Sequence, residues 1–431
     1  MRLFPFCSLT LISCAAIALF GAPAPAQSPL EPLVQQALQN NPGLKAQRTK
    51  VAAARQVPSQ MKALPDPTAD IEFMNFGLNG SSGSDALTKG VSVGVAQPLP
   101  YPGKRRLAAR VAEGETAVQE ARLAVMEWKV RSEVIAAAYR YKTANALLQI
   151  NAQTLDALQV TVESALARYS TGDGNQADVL LAQSAVTKTT TERRDLEKQV
   201  AVAKARLESL VAAPVENATL DGIELPQPVP LPGLEPLLAV VNTHAPEVAM
   251  AQAEAVVADT GAEVAKRNFK PDFLVGGRFR YKDMTMGGQN YLTAMVGMTL
   301  PFFHRKDRYQ PALTEALQRK QGALEDVSEA QNTSRFKLAE AYQSADRDAK
   351  VATLYEQGLL LQARQAYEAT LSAYKTGRAD FSELLMSLTS LYMYESDAVM
   401  ARGEYPQMVA EMEAVLGQPL SSAAADSPAR P

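Results

Sequence analysis

Two long stretches of the chain carry apolar residues at seven-residue intervals and contain no proline, one between Pro102 and Pro214 and one between Pro311 and Pro406. In the first, Val111, Val118 and Val125 recur at that interval, as do Leu148, Leu155, Val162 and Tyr169. An apolar residue every seven positions returns to one side of a helix, and a stripe of this kind is the seam of a coiled coil. At 1.5 Å per residue, a helix from near Lys104 to near Tyr169 is on the order of 100 Å long, whereas globular helices usually stop within about 20 residues. The clearest breaks are polar turns at Gly172 and Gly377. The pattern predicts two long antiparallel coiled-coil hairpins.

Other segments alternate with period two. "DFLVGGRFRYKD" places Phe273, Val275, Phe279 and Tyr281 on one face and Arg278, Arg280 and Lys282 on the other. "YLTAMVGMTL" places Leu292, Ala294, Val296, Met298 and Leu300 together. "LPDPTADIEF" and "VSVGVAQPLP" supply two further strands, and the loops "NGSSGSDALTKG" and "KDMTMGGQN" are polar and glycine-rich. Such alternation fits a half-exposed soluble hairpin, and it fits a strand of a membrane barrel as well. Four strands are too few to close a barrel, which takes about eight. An open edge in lipid leaves backbone groups unpaired. If these strands span a membrane, several chains must pool them.

The chain also echoes itself. "ARYSTGDGNQADVLLAQ" is matched by "SAYKTGRADFSELLMSL", with Tyr169 on Tyr374, Gly172 on Gly377 and Asp178 on Glu383, each 205 residues apart. Earlier segments match at offsets of 203 to 206, Pro98 falling on Pro301. Each half reads short helix, helix, strand, strand, long helix, polar turn, long helix. The predicted organisation is an internal duplication, 27–224 and 237–419. A proline-rich connector, "LPQPVPLPGLEP", occupies 225–236, and a disordered tail covers 420–431.

Net charge is −3, which argues against a nucleic-acid partner. Arg2, the apolar run "LTLISCAAIALF" and the small residues of "APAPA" read as a signal peptide over 1–26, cleaved after Ala26. A lipid-accepting reading of "LISC" is set aside, because Cys14 sits inside the apolar core. Cys7 and Cys14 are the two cysteines, so the mature chain is expected to hold no disulfide and no thiolate metal site. After residue 26 nothing approaches the roughly 18 apolar residues of a membrane helix. The expected locations are the periplasm, the exterior or an outer-membrane barrel.

"VAQPLPYPGKRRLAARVAEGE", "YLTAMVGMTLPFFHRKDRYQPAL" and "YKTGRADFSELLMSL" resemble the TolC family of outer-membrane efflux proteins. The first stretch is most similar to the heavy-metal-efflux branch typified by CusC and CzcC. The resemblance implies an α+β membrane protein whose homotrimer shares one β-barrel, each chain giving four strands, continued by a periplasmic helical tunnel. It implies a passive exit duct that works with a periplasmic adaptor and an inner-membrane pump of the RND type, with heavy-metal cations as the favoured cargo. Members of that branch often carry a lipid-anchoring cysteine, which this chain lacks after the signal. In the family the hairpins end at a periplasmic tip where the adaptor docks and the tunnel narrows. Carried over by position, that surface is Thr171, Gly172 and Asp178 with Thr376, Gly377 and Glu383. Asp173 and Asp380 would add carboxylates to a ring at the entrance, favouring cations. Alternatively these acids cap the following helices.

Independently of the family, a basic cluster follows each strand pair: Lys104, Arg105, Arg106 and Arg110, then His304, Arg305, Lys306 and Arg308. Cations are unfavourable at a helix N-terminus, so the recurrence implies a compensating anion. Lipid phosphates of the inner leaflet fit that role, and the plain alternative is a solvated charge run. His244 and His304 are the only histidines and share no site spacing. Met284 and Met286 offer thioethers in a loop, weak grounds for a soft metal. Trp128 is expected to pack on the coiled coil. No nucleophile, metal or phosphate motif appears, so no enzyme and no cofactor is expected. The rival reading is a soluble periplasmic coiled-coil adaptor or scaffold.

Overall fold

The computed structural model describes residues 30–74, 90–282 and 289–421. The signal segment with Cys7 and Cys14, most of both strand-connecting loops with Met284 and Met286, and residues 422–431 lie outside the described residues.

Three short helices open the chain: α1 (Glu31–Asn40), α2 (Pro42–Ala54) and α3 (Val57–Lys62). Asn41 starts α2 by accepting from the Gly43 and Leu44 amides, with Pro42 in the first helical turn. Strands β1 (Thr68–Met74) and β2 (Gly90–Leu99) follow, then α4 (Lys104–Ser170), α5 (Gln176–Val211) and α6 (Asn217–Asp221). Beyond the connector come α7 (Leu234–His244), α8 (Pro246–Arg267), β3 (Phe273–Lys282) and β4 (Tyr291–Met298). The chain ends with α9 (Gln310–Leu354), α10 (Leu360–Lys375) and α11 (Phe381–Leu416).

Helix α4 is one unbroken rod of 67 residues. Its counterpart is not. A 3-10 turn (Pro301–His304) and a π-turn (Arg305–Tyr309) precede α9, and a second π-turn (Tyr355–Leu359) separates α9 from α10. The offset between matching segments grows from 203 at Pro98 and Pro301 to 205 at Tyr169 and Tyr374. A π-turn takes one residue more than an α-turn, so the two π-turns absorb these two extra residues.

The seam is tighter than one residue in seven. In α4, Val130, Val134, Ala137, Tyr141 and Ala144, then Asn151, Leu155 and Leu158, are buried at alternating three- and four-residue spacings, with Ala165 a full heptad further on. Helix α11 repeats this with Phe381, Leu384, Leu388 and Leu391, and Ala398 lies a heptad beyond. Tyr169, expected on the seam, is exposed, because beyond Ala165 both hairpins converge in a cluster with Val179, Ala182, Tyr374, Phe381 and Leu384. Trp128 is half-buried on α4, 5.9 Å from the Arg131 guanidinium.

Rows of small residues let the rods approach closely. An added Cβ at Gly403 would stand 1.8 Å from Thr143 Oγ1 of α4. Helix α11 runs on through Pro406, and in that turn the Gln407 amide donates to the Gly403 carbonyl at 2.8 Å. The connector forms no helix or strand over 225–233, in keeping with its prolines. Its last three residues, 234–236, form the first turn of α7, where the missing N–H of Pro236 costs no intrahelical hydrogen bond. The connector is strapped to α11 by Arg402, donating to the Leu225 carbonyl at 2.7 Å, and by the Tyr405 hydroxyl, donating to the Val229 carbonyl at 2.8 Å.

The four strands form one antiparallel sheet in the order β1-β2-β3-β4. Among the described residues, no helix is long and apolar enough to cross a membrane.

Candidate functional sites: the sheet and the hairpin tips

The register aligns the predicted faces across all four strands. Ile71, Val93, Phe279 and Leu292 form one continuous row, and Phe73, Val91 and Tyr281 part of the next. This face is apolar and largely uncovered: Phe279 is 48% exposed, Val296 78% and Leu292 82%. A soluble sheet buries such a face under a helix or a second sheet. The opposite face is polar. Arg278 reaches across β2 to Asp70 (2.6 Å) and Glu72 (2.5 Å), and Ser92 donates to Glu72. That reach needs Gly94 between them, since a Cβ there would meet Asp70 Oδ1 at 2.5 Å. The alternation of Arg278 and Arg280 with apolar residues pointed to the polar face. Its carboxylate partners on β1 were not foreseen, because they face Arg278 only in this register. Among the described residues, β1 and β4 each leave one edge unpaired.

At the helix-proximal end of the sheet the two basic clusters differ. Lys104 donates to the Lys270 carbonyl at 2.9 Å and pairs with Asp272 at 2.9 Å, so a carboxylate of the chain itself supplies its compensating anion. Arg105 donates to the Lys62 carbonyl at 2.7 Å, and Arg110 lies 3.5 Å from Glu263. Arg106 is exposed and forms no salt bridge among the described residues. In the second cluster His304, Arg305, Lys306 and Arg308 are all exposed. Beside them the exposed rings of Phe302 and Phe303 sit 4.4 Å apart.

At the other end the two turns lie side by side. Gly172 and Gly377 adopt φ of 82° and 73°, the left-handed region that glycine enters without cost. Asp173 accepts from the Thr171 hydroxyl at 3.2 Å and caps nothing. Asn175 caps α5 instead, through the Ala177 amide at 3.2 Å. Asp380 stands at the N-cap of α11 without a side-chain hydrogen bond. Asp178 and Glu383 occupy the first turns of α5 and α11, where the helix dipole favours acids. Thr376 accepts from Arg378 Nε at 3.0 Å. Asn175→Ala is expected to cost about 1 kcal/mol, read as a lower thermal midpoint.

A contact not anticipated from the sequence ties the turns together. Arg168 of α4 donates to the Tyr374 carbonyl of the other hairpin (2.9 Å) and to the Asp173 carbonyl (3.0 Å). Its guanidinium lies 4.8 Å from the Tyr374 ring. Tyr374 is buried, and burial pushes its phenol up, Arg168 opposing and the Asp178 charge reinforcing the shift. The sequence signal was a break in the echo: position 373, matching Arg168, is alanine.

The fold is shared with solved outer-membrane proteins. It is similar to the outer-membrane channel OprN (17% identity, TM-score 0.76, covering 91% of this chain and 90% of that one). It is similar to VceC from Vibrio cholerae (19%, 0.74, covering 91% and 96%) and to CusC (18%, 0.74, covering 90% and 92%). No curated protein sequence matches. The profile described as outer membrane efflux protein matches residues 33–213 and 237–418, and the chain belongs to that family.

Proposed function

We propose that this chain is the outer-membrane channel-tunnel of a tripartite efflux system, a passive duct for solutes delivered by an inner-membrane pump and a periplasmic adaptor. The observation that carries this reading is the uncovered apolar face of a four-stranded sheet with two free edges and a polar opposite face. In water that face and those edges promote aggregation. In a bilayer the same face is the lipid surface, and the edges are satisfied when β1 of one copy pairs with β4 of the next. Three copies with four strands each would form the barrel, and the long hairpins the tunnel. Export by the signal segment and origin by internal duplication belong to the same proposal. Family membership takes the ground from the soluble adaptor or scaffold reading.

At the tips, we assign adaptor docking to Thr171, Gly172, Asp178, Thr376, Gly377 and Glu383. Two exposed apolar residues one turn beyond, Leu181 and Met386, again 205 residues apart, add to that surface. Asp173, which caps no helix, and Asp380, whose carboxylate makes no capping hydrogen bond at its N-cap position, suit an entrance that favours cations. That preference, with the resemblance to CusC-type proteins, supports heavy-metal cations as cargo and an RND-type pump as partner. Selectivity would then reside in the pump.

The test is fractionation of cells expressing the full chain, followed by light scattering of detergent-extracted protein on size exclusion. A detergent-requiring outer-membrane trimer is expected, and a detergent-free periplasmic monomer would overturn the proposal. In planar bilayers, Arg168→Ala is expected to raise single-channel conductance several-fold by untying the two turns. Arg168→Lys, which keeps the charge without the fork, is expected to fall between. Equal conductance in all three proteins would remove the Arg168 contact from the entrance mechanism.

A further inference from the structure

A cavity of about 620 Å³ opens at the helix-proximal end of the sheet, between the end of α8, the end of β4 and the start of the second rod. Its apolar wall includes Phe269, Leu300, Phe302 and Leu313. Three cations line it, Lys266, Lys270 and Arg305, and no carboxylate does. None of the three forms a salt bridge among the described residues. The acid whose field reaches Lys266, Asp259, is already held by Lys320 at 2.6 Å. Lys270 lends only its carbonyl to Lys104. The Arg305 guanidinium lies 5.9 Å from the Phe269 ring.

Three unpaired cations around an apolar wall are complementary to an anionic amphiphile. Free phosphate would leave the apolar wall wet, and a purely apolar ligand would leave the cations uncompensated. The cavity also sits where the apolar face of the sheet ends, at Met298, beside exposed Phe302 and Phe303. Aromatic rings and basic residues mark the level of lipid headgroups on a membrane protein.

Resting on the barrel reading above, we infer that this cavity binds one anionic glycerophospholipid of the inner leaflet per chain. Lys266, Lys270 and Arg305 hold the phosphate, and an acyl chain lies along Phe269, Leu300 and Phe302. In the matching region of the first half, Lys104 and Arg105 are instead engaged by Asp272 and the Lys62 carbonyl.

The experiment is native mass spectrometry of the full-length protein, delipidated in detergent and then titrated with phosphatidylglycerol, phosphatidylcholine or inorganic phosphate. One tightly held phosphatidylglycerol per chain is expected, with weaker phosphatidylcholine binding and no effect of phosphate. Each cation at an anionic surface contributes roughly a factor of five. The K266Q/K270Q/R305Q variant should therefore bind phosphatidylglycerol about 100-fold more weakly. The charge-conserving K266R/K270R/R305K variant should retain binding, which separates lost charge from misfolding. Unchanged affinity in the glutamine variant overturns the inference. So does competition by inorganic phosphate, or cross-linking of position 305 to a neighbouring chain in place of lipid. Detergent dependence, measured on the same samples, distinguishes the two failures. A detergent-free soluble protein sinks the barrel reading, whereas a detergent-requiring oligomer that ignores phosphatidylglycerol sinks this inference alone.

Discussion

Phe279→Arg is expected to abolish accumulation of the protein in the outer membrane. Phe279 lies on β3, an inner strand of the sheet, flanked in one row by Val93 and Leu292. An arginine on the lipid face near the middle of a barrel costs about 2–4 kcal/mol. Every copy in an oligomer carries the substitution, so the penalty recurs in each chain. On a water-exposed surface the same change stays within about 0.5 kcal/mol. The structure contains its own control one residue away. Arg278, on the opposite face, is accommodated by Asp70 and Glu72. Membrane fractionation with immunodetection checks this. Wild-type levels of detergent-extractable Phe279→Arg oligomer would mean that the apolar face does not meet lipid. Val93→Arg, on the neighbouring strand, should behave alike.

Gly403→Val is expected to destabilise the helical part by about 3 kcal/mol or more, at the upper end of overpacking penalties. A Cβ at 403 would stand 1.8 Å from Thr143 Oγ1 and 3.0 Å from its Cβ. Thr143 is not free to yield, because its hydroxyl donates to the Tyr139 carbonyl at 2.8 Å. Relief therefore requires α4 and α11 to move apart along a seam they share with both hairpins. Thr143→Ala removes the worst overlap but keeps the Cβ, so combined with Gly403→Ala it should recover part of the loss. Thermal unfolding of Gly403→Ala, Thr143→Ala and the Gly403→Ala/Thr143→Ala double variant gives that coupling directly. Additive effects would show that the crossing is looser than its geometry. A lost midpoint in Gly403→Val with intact membrane targeting would separate tunnel packing from barrel assembly.

Much of this architecture could be read from local patterning. The heptad spacing of Val111 to Tyr169 marked the rods, and the rods end where Gly172 and Gly377 permit positive φ. Period-two alternation marked the strands and their faces, because side-chain direction along a strand depends only on sequence parity. The misses have a common cause. Tyr169 continued the heptad yet lies exposed, because at the tip a second hairpin, not the seam, decides which residues are buried. Lys104 looked like a cation awaiting a lipid phosphate, yet it pairs with Asp272, 168 residues away. The long helix expected in the second half is preceded by one π-turn and interrupted by another, since period counting does not register where an extra residue will be absorbed.

The sequence by itself determined the periodicities, the turns and the echo between halves. Each depends on neighbours within a few residues, or on comparing one stretch with another. Tertiary structure alone decided which charges are spent. Asp272 claims Lys104, and Asp70 and Glu72 claim Arg278, whereas Lys266, Lys270 and Arg305 form no salt bridge among the described residues and line a cavity. It also decided that Arg168 bridges the two tips and that Gly403 must remain glycine. These depend on helix crossings and strand register, which bring together groups far apart in the chain, and ion pairs and steric overlap are set by those distances.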